Sequence, residues 1–148
     1  MRKIALATTI AGLILVVNAC KKSDSNGSNP SARTVQNFSG SYGITAISAS
    51  VLGLNVNLYD SLPPCERDNV IQLDANQTAH FVDAGVVCVP PSDSSGTWSL
   101  SSNTDTLYIS GSANYIKSCD GKTLVLAGIE NISGIPVPVT TTTTLSKK

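Results

Sequence analysis

The stretch Leu52-Gly53-Leu54-Asn55-Val56-Asn57-Leu58 places an aliphatic side chain at every even position and glycine or asparagine at every odd one. Successive side chains of an extended chain point to opposite faces, so this order makes one dry face and one wet face, the pattern of a strand covered on one side. Outward from it, the same test marks strands near Tyr42 to Ile47, Val70 to Leu73, Thr78 to Val82, Thr97 to Leu100, Thr106 to Ser110, Asn114 to Lys117, Thr123 to Ala127 and Val139 to Leu145. No convincing helical period interrupts them. Asp74-Ala75-Asn76-Gln77, Ser101-Ser102-Asn103-Thr104-Asp105 and Cys119-Asp120-Gly121-Lys122 are polar connections of hairpin length, so neighbouring strands pair antiparallel. About nine short strands with one apolar face predict an all-β fold, a small antiparallel up-and-down β-barrel of about eight to nine strands in preference to a sandwich.

Near the last strand, Pro136 and Pro138 stand two apart and remove backbone donors from one side of the chain. Proline is confined to strand starts and edges, so this stretch either begins the final strand or blunts an edge before the Thr140 to Thr144 run. That run is a strand of good β propensity rather than a functional feature.

The chain opens differently. Arg2 and Lys3 precede an uncharged apolar run from Ile4 to Val17, the n-region and h-region of a secretory signal. A membrane span needs about 20 apolar residues, and this run stops at Asn18. Val17-Asn18-Ala19-Cys20 resembles the lipobox of bacterial lipoproteins, in which the cysteine thiol takes the diacylglycerol. The expectation is a removable signal peptide over residues 1–19 and lipidation of Cys20, giving a membrane partner through fatty acyl chains such as palmitate. Two or three chains hold far more firmly than one, at about 0.8 kcal/mol for each buried methylene. From Lys21 to Ser31 there is no apolar residue and many turn formers, so residues 20–34 are expected to be a lipidated flexible tether. The folded domain is expected over residues 35–148, enough chain for one compact domain and too little for two.

Charge narrows the partners. From Val35 onward the chain has five basic residues against nine acidic ones, a net of −4. With no basic, aromatic-interleaved stripe, that balance excludes a nucleic-acid-binding surface.

Gly40-Ser41-Tyr42, Pro64-Cys65-Glu66-Arg67-Asp68-Asn69, Ile71-x-Leu73-Asp74-Ala75-Asn76, Cys88 and Gly96-Thr97-Trp98-Ser99-Leu100 follow one another in an order that resembles the lipocalin-like domain of Bacteroidetes lipoproteins. The similarity spans most of Phe38 to Leu145. It implies a lipid-anchored antiparallel barrel with an internal pocket, and carries over no binding residue. One departure is Gln77, in a turn where the family commonly has glycine.

With Cys20 acylated, Cys65, Cys88 and Cys119 remain in an oxidising compartment, where one pair and one free thiol are expected. Cys65 precedes the Val70 strand and Cys88 follows its hairpin partner, so folding that hairpin brings the two towards one end of the sheet. The resemblance supports the same pairing. Cys119 is left free in a separate turn.

Chemistry-bearing constellations are sparse. Zinc spacing wants Cys-x-x-Cys pairs, and only a single histidine exists, so no metal site and no cofactor are expected. That histidine, His80, falls between Ala79 and Phe81 on the opposite strand face, a solvated position. No serine stands in a nucleophile-elbow setting. Asp60, Glu66 and Asp68 read as loop carboxylates, and Asp74-x-Asn76-x-Thr78 opens like a calcium loop but lacks the glycine and glutamate that would complete it. Asp60-Ser61-Leu62 and Asp105-Thr106-Leu107 resemble the O-glycosylation sequon of exported Bacteroidetes proteins, making Ser61 and Thr106 candidate acceptors.

The function expected is therefore non-enzymatic, in an outer-envelope, lipid-anchored lipocalin-like protein, at the periplasmic face or the cell surface of the outer membrane. Lys21 after Cys20 lacks the aspartate associated with inner-membrane retention. One reading has alternate strand positions line a pocket for a small apolar or amphipathic ligand, with Leu52, Leu54, Val56, Leu58, Ile71, Leu73, Phe81, Trp98, Leu107 and Ile109 as its wall. The other has the same residues fill the interior while loops near Tyr59 to Asn69 and Ala84 to Ser95 bind another envelope protein.

Overall fold

A computed structural model describes residues 32–131 and 137–148 of the 148-residue chain. The expected signal peptide, Cys20, the expected tether as far as residue 31, and Pro136 lie outside the described residues. The element order is α1 (Val35–Phe38), β1 (Gly40–Val51), β2 (Leu54–Asn57), a 3-10 turn (Tyr59–Ser61), α2 (Pro64–Arg67), β3 (Val70–Leu73), β4 (Thr78–Val82), β5 (Ser94–Leu100), β6 (Thr106–Ile109), β7 (Ser112–Cys119), β8 (Thr123–Glu130) and β9 (Val139–Lys147). Pro138 immediately precedes β9, in keeping with a proline at a strand start.

Each strand from β3 to β9 pairs antiparallel with the next, and β1 pairs with β3 on one edge and β9 on the other. Eight strands, β1 and β3–β9, thus close into a barrel, and β2 is an extra strand outside the ring. Closure joins the two ends of the domain: Tyr42 lies opposite Lys147 and Ser50 opposite Thr140. A bulge between Ile44 and Ala46 leaves Thr45 out of register, and its hydroxyl donates to the Thr144 carbonyl at 3.2 Å.

The position of β2 corrects the reading of residues 52–58. Leu52 and Gly53 form a turn with φ of 50° and 82°, and the strand proper is only Leu54–Asn57. β3 pairs with β1 only over Gly40–Gly43, so the far half of the same edge, Ser48–Val51, is left to β2. Leu54 lies opposite Val51 and Val56 opposite Ala49, which puts both aliphatics on one face as the alternation requires. No barrel strand covers that face. Leu52, Leu54 and Val56 are 84%, 74% and 56% exposed, so none of the three belongs to the barrel wall.

The registers also define two ends. Gly40 pairs with Leu73 at one end, whereas Gly43, Val70 and Val82 are aligned towards the other. The first end carries the turns after β3, β5 and β7 and is closed by α1. Phe38 of that helix is fully buried, the Tyr42 hydroxyl donates to its carbonyl at 2.9 Å, and the Thr34 hydroxyl caps the helix by accepting from Asn37 N–H. Arg33 donates to the carbonyls of Thr104 and Ile116, each at 3.2 Å, so Arg33, which composition assigns to the tether, is engaged by the barrel, while Thr34 caps α1.

Above α1 the barrel is filled. Trp98, Leu73, Leu107 and Leu124 are at most 1% exposed and pack with Phe38 and Tyr42 into one core. Trp98 is satisfied there, its indole N–H donating to the Asp74 carbonyl at 2.8 Å. Three members of the expected pocket wall, Leu73, Trp98 and Leu107, therefore belong to packed core and lie outside the lining of the cavity described below.

Candidate upper-barrel cavity

Towards the other end the interior opens. A cavity of about 440 Å³ lies there, its apolar surface made by Ile71, Phe81, Ile109, Leu126 and Leu145. Ser94, Ser110, Ser112, Asn114 and Thr143 supply its polar surface, and no charged side chain lines it. The volume falls within the range of small-molecule sites, and the mix of an apolar lining with a few hydroxyl and amide groups is their usual composition. Of the residues expected from sequence, Ile71, Phe81 and Ile109 line it. Leu58 is half-buried and lies outside the lining.

Sequence reasoning missed the polar half because hydroxyl residues on strands read as wet-face positions. Ser110 illustrates how one comes to face inward. It forms a two-residue turn with Gly111, with φ of 50° and 84°, between the paired residues Ile109 and Ser112. Its hydroxyl fits against β5 because residue 96 is glycine: a Cβ there would collide with the Ser110 oxygen.

The loops beyond this end are held by covalent and charged groups. Cys65 and Cys88 are disulfide-bonded with their Cα atoms 5.2 Å apart, joining α2 to the β4–β5 connection, and Cys119 is free. Asp83, only 9% exposed, accepts the backbone N–H groups of Cys88 and Ser92, while Asp93 accepts that of Asp83 at 2.9 Å. Asp68 accepts from Val86 N–H at 2.8 Å. Asp68, Asp83 and Asp93 thus organise the loop, whose Val86, Val87 and Val89 remain exposed.

The remaining candidates are dispersed. His80 Nε2 lies 3.3 Å from Asp74 Oδ2 on the barrel exterior. Asp74, Asn76 and Thr78 build a turn, with Thr78 N–H donating to the Asn76 side chain and Gln77 N–H to the Asp74 carbonyl. Ser61 is exposed. Thr106 is 6% exposed and its hydroxyl donates to Asp105 at 2.9 Å, which removes it as an accessible glycan acceptor. At the closed end, burial, and next the electrostatic effect of nearby Cys119, push the Tyr42 phenol up to about 12.

A family model described as a lipocalin-like domain matches residues 38–126. The chain belongs to that family. The match ends at Leu126, inside β8, so the closing strand β9 of this lipocalin-like barrel lies beyond it. No curated protein and no solved structure matches the chain. A lipocalin-like fold is typically one that binds rather than one that catalyses, and the cavity lies where a barrel ligand would lie.

Proposed function

We propose that this lipocalin-like protein holds a small apolar or amphipathic molecule in the upper-barrel cavity, performs no chemistry on it, and is anchored to the outer membrane through lipid on Cys20. The observation that carries the reading is the division of the barrel: a packed half around Trp98 and an open half of about 440 Å³ with an apolar lining. A purely structural barrel interior would be filled throughout, as the lower half is. The described chain begins at the closed end, the pole opposite the cavity, and residues 20–31 separate it from the acyl group proposed on Cys20. Twelve residues reach at most about 40 Å, enough to hold the barrel clear of a bilayer.

A neutral dye that fluoresces in apolar surroundings tests the binding reading. Saturable enhancement with the purified protein, abolished by Leu126→Trp, is expected; enhancement that never saturates overturns it. Fatty-acid labelling tests the anchor: Cys20→Ala should lose all label, and retained label contradicts the lipoprotein assignment. Recovery with inner-membrane fractions would contradict the location, and an unmodified mass at the Ser61 peptide would remove glycosylation there.

Exposed Val86, Val87 and Val89, on the loop tied to α2 by the disulfide, favour a second reading in which these loops contact another envelope protein. Loss of a co-purifying partner on Val87→Asp, with dye binding intact, would select it.

A further inference from the structure

We propose that the cavity has a second opening, through the barrel wall between β7 and β8, and that this seam holds the polar head of a single-chain amphiphile whose head is uncharged. The proposal rests on the cavity's being a ligand site. β7 and β8 pair from Cys119 opposite Leu124 up to Tyr115 opposite Ala127, and no pairing continues beyond. Yet both strands run on: Ser112–Asn114 stays paired to β6, and Gly128–Glu130 stays paired to β9. Continued register would set Asn114 opposite Gly128, Ala113 opposite Ile129 and Ser112 opposite Glu130. A cleft of about 280 Å³ lies between these residues instead.

Two features set the cleft against the main cavity. Ser112 and Asn114 line it and also line the main cavity, so these two residues are the wall that the spaces share. Ala113 and Ile129, which alternation directs outward and which are exposed, line it as well, so it spans the wall from inner to outer face. Gly128 contributes no side chain to the cleft, and a Cβ there would stand 3.0 Å from the Thr141 hydroxyl on β9.

The linings dictate the ligand. At about 30 Å³ for each water-sized group, the main cavity takes roughly 15 such groups, the size of one medium-length acyl chain. Among the described residues the only charged side chain lining either space is that of Glu130, the exposed last residue of β8, which alternation sets on the same face as Leu124 and Leu126. Its carboxylate accepts hydrogen bonds from hydroxyl groups and repels an anion placed beside it, while the Asn114 amide and Ser112 hydroxyl serve as further partners. A hydroxyl-bearing head fits this surround and a carboxylate head does not.

Calorimetric titration with monolauroylglycerol and with laurate, at a pH well above the carboxylate range, decides the matter. Monolauroylglycerol should bind the wild-type protein about tenfold more tightly than laurate. Glu130→Gln should remove most of that preference and Glu130→Lys should reverse it, while Asp120→Lys, the same charge change at the closed end, should leave it in place. Equal affinities that no Glu130 variant alters, or a shift of equal size in Asp120→Lys, overturn the seam while leaving the cavity a ligand site. Binding of neither compound overturns both.

Discussion

Truncating one aliphatic residue in each half of the barrel measures the division between packed and open interior. Leu107 is fully buried and paired to Leu100 in the filled half. Replacing it by alanine removes three carbons from a closed environment, about 2.4 kcal/mol of transfer free energy at about 0.8 kcal/mol each. The void left behind adds ~1.5 kcal/mol if some 60 Å³ stays empty, at about 24 cal/mol for each Å³. Leu107→Ala should therefore cost about 4 kcal/mol. Ile71 is half-buried and already borders the cavity, so Ile71→Ala removes the same number of carbons without creating a new closed void. About half the transfer term, ~1 to 1.5 kcal/mol, is expected. Urea unfolding of the two variants against wild type, with slopes compared to verify two-state behaviour, gives the difference directly. Losses equal within about 0.5 kcal/mol would mean that the two environments are packed alike and that the cavity is closed up in solution. Dye binding adds a second readout: Ile71→Ala should alter the affinity and Leu107→Ala should not.

Cys65→Ser and Cys88→Ser should each cost roughly 3 kcal/mol, from closing a loop of about 24 residues, with little further loss in the double variant and about 1 kcal/mol or less for Cys119→Ser; near-additive losses, or a Cys119 peptide cross-linked to either partner in unreduced maps, would contradict the pairing. Gln77 has φ of 69°, in the left-handed region that favours glycine, so Gln77→Gly should raise the urea midpoint by the equivalent of ~0.5 to 1 kcal/mol. The Tyr42 pKa rises from 10.0 in the unfolded chain to about 12 in the fold, so its contribution is whole below pH 10 and disappears as pH climbs towards 12. That is a loss of about 2 to 3 kcal/mol in stability across the window, and Tyr42→Phe should flatten the slope.

Local features of the sequence reported local structure well. β3 and β4 occupy the residues that alternation marks, because each is short, ends in turn formers and pairs with its neighbour across four connecting residues. The Cys65–Cys88 bond followed from the same hairpin, since pairing Val70 with Val82 brings the flanking segments together. Gln77 was conspicuous in a turn that commonly has glycine, and its positive φ gives the physical reason. Less was legible where a residue's partner is set by distant chain. Asp83 gave no signal, because its role depends on backbone N–H groups of a loop whose course the disulfide sets.

The candidate site shows the limit most clearly. Alternation states which side chains share a face, and Leu54 and Val56 do share one with Ala49 and Val51. What covers a face depends on strand length and closure. β1 is 12 residues long while β3 is four, and β9 returns to β1 across most of the domain, so the ring closes without β2 and leaves its aliphatics in solvent. The same mismatch of lengths works inside the ring. β7 and β8 each extend beyond their mutual pairing, and the space between them shares Ser112 and Asn114 with the cavity. A filled core and an open cavity thus share one hydrophobic pattern, and the small polar residues at 94, 110, 112, 114 and 143 distinguish the half that can receive a ligand.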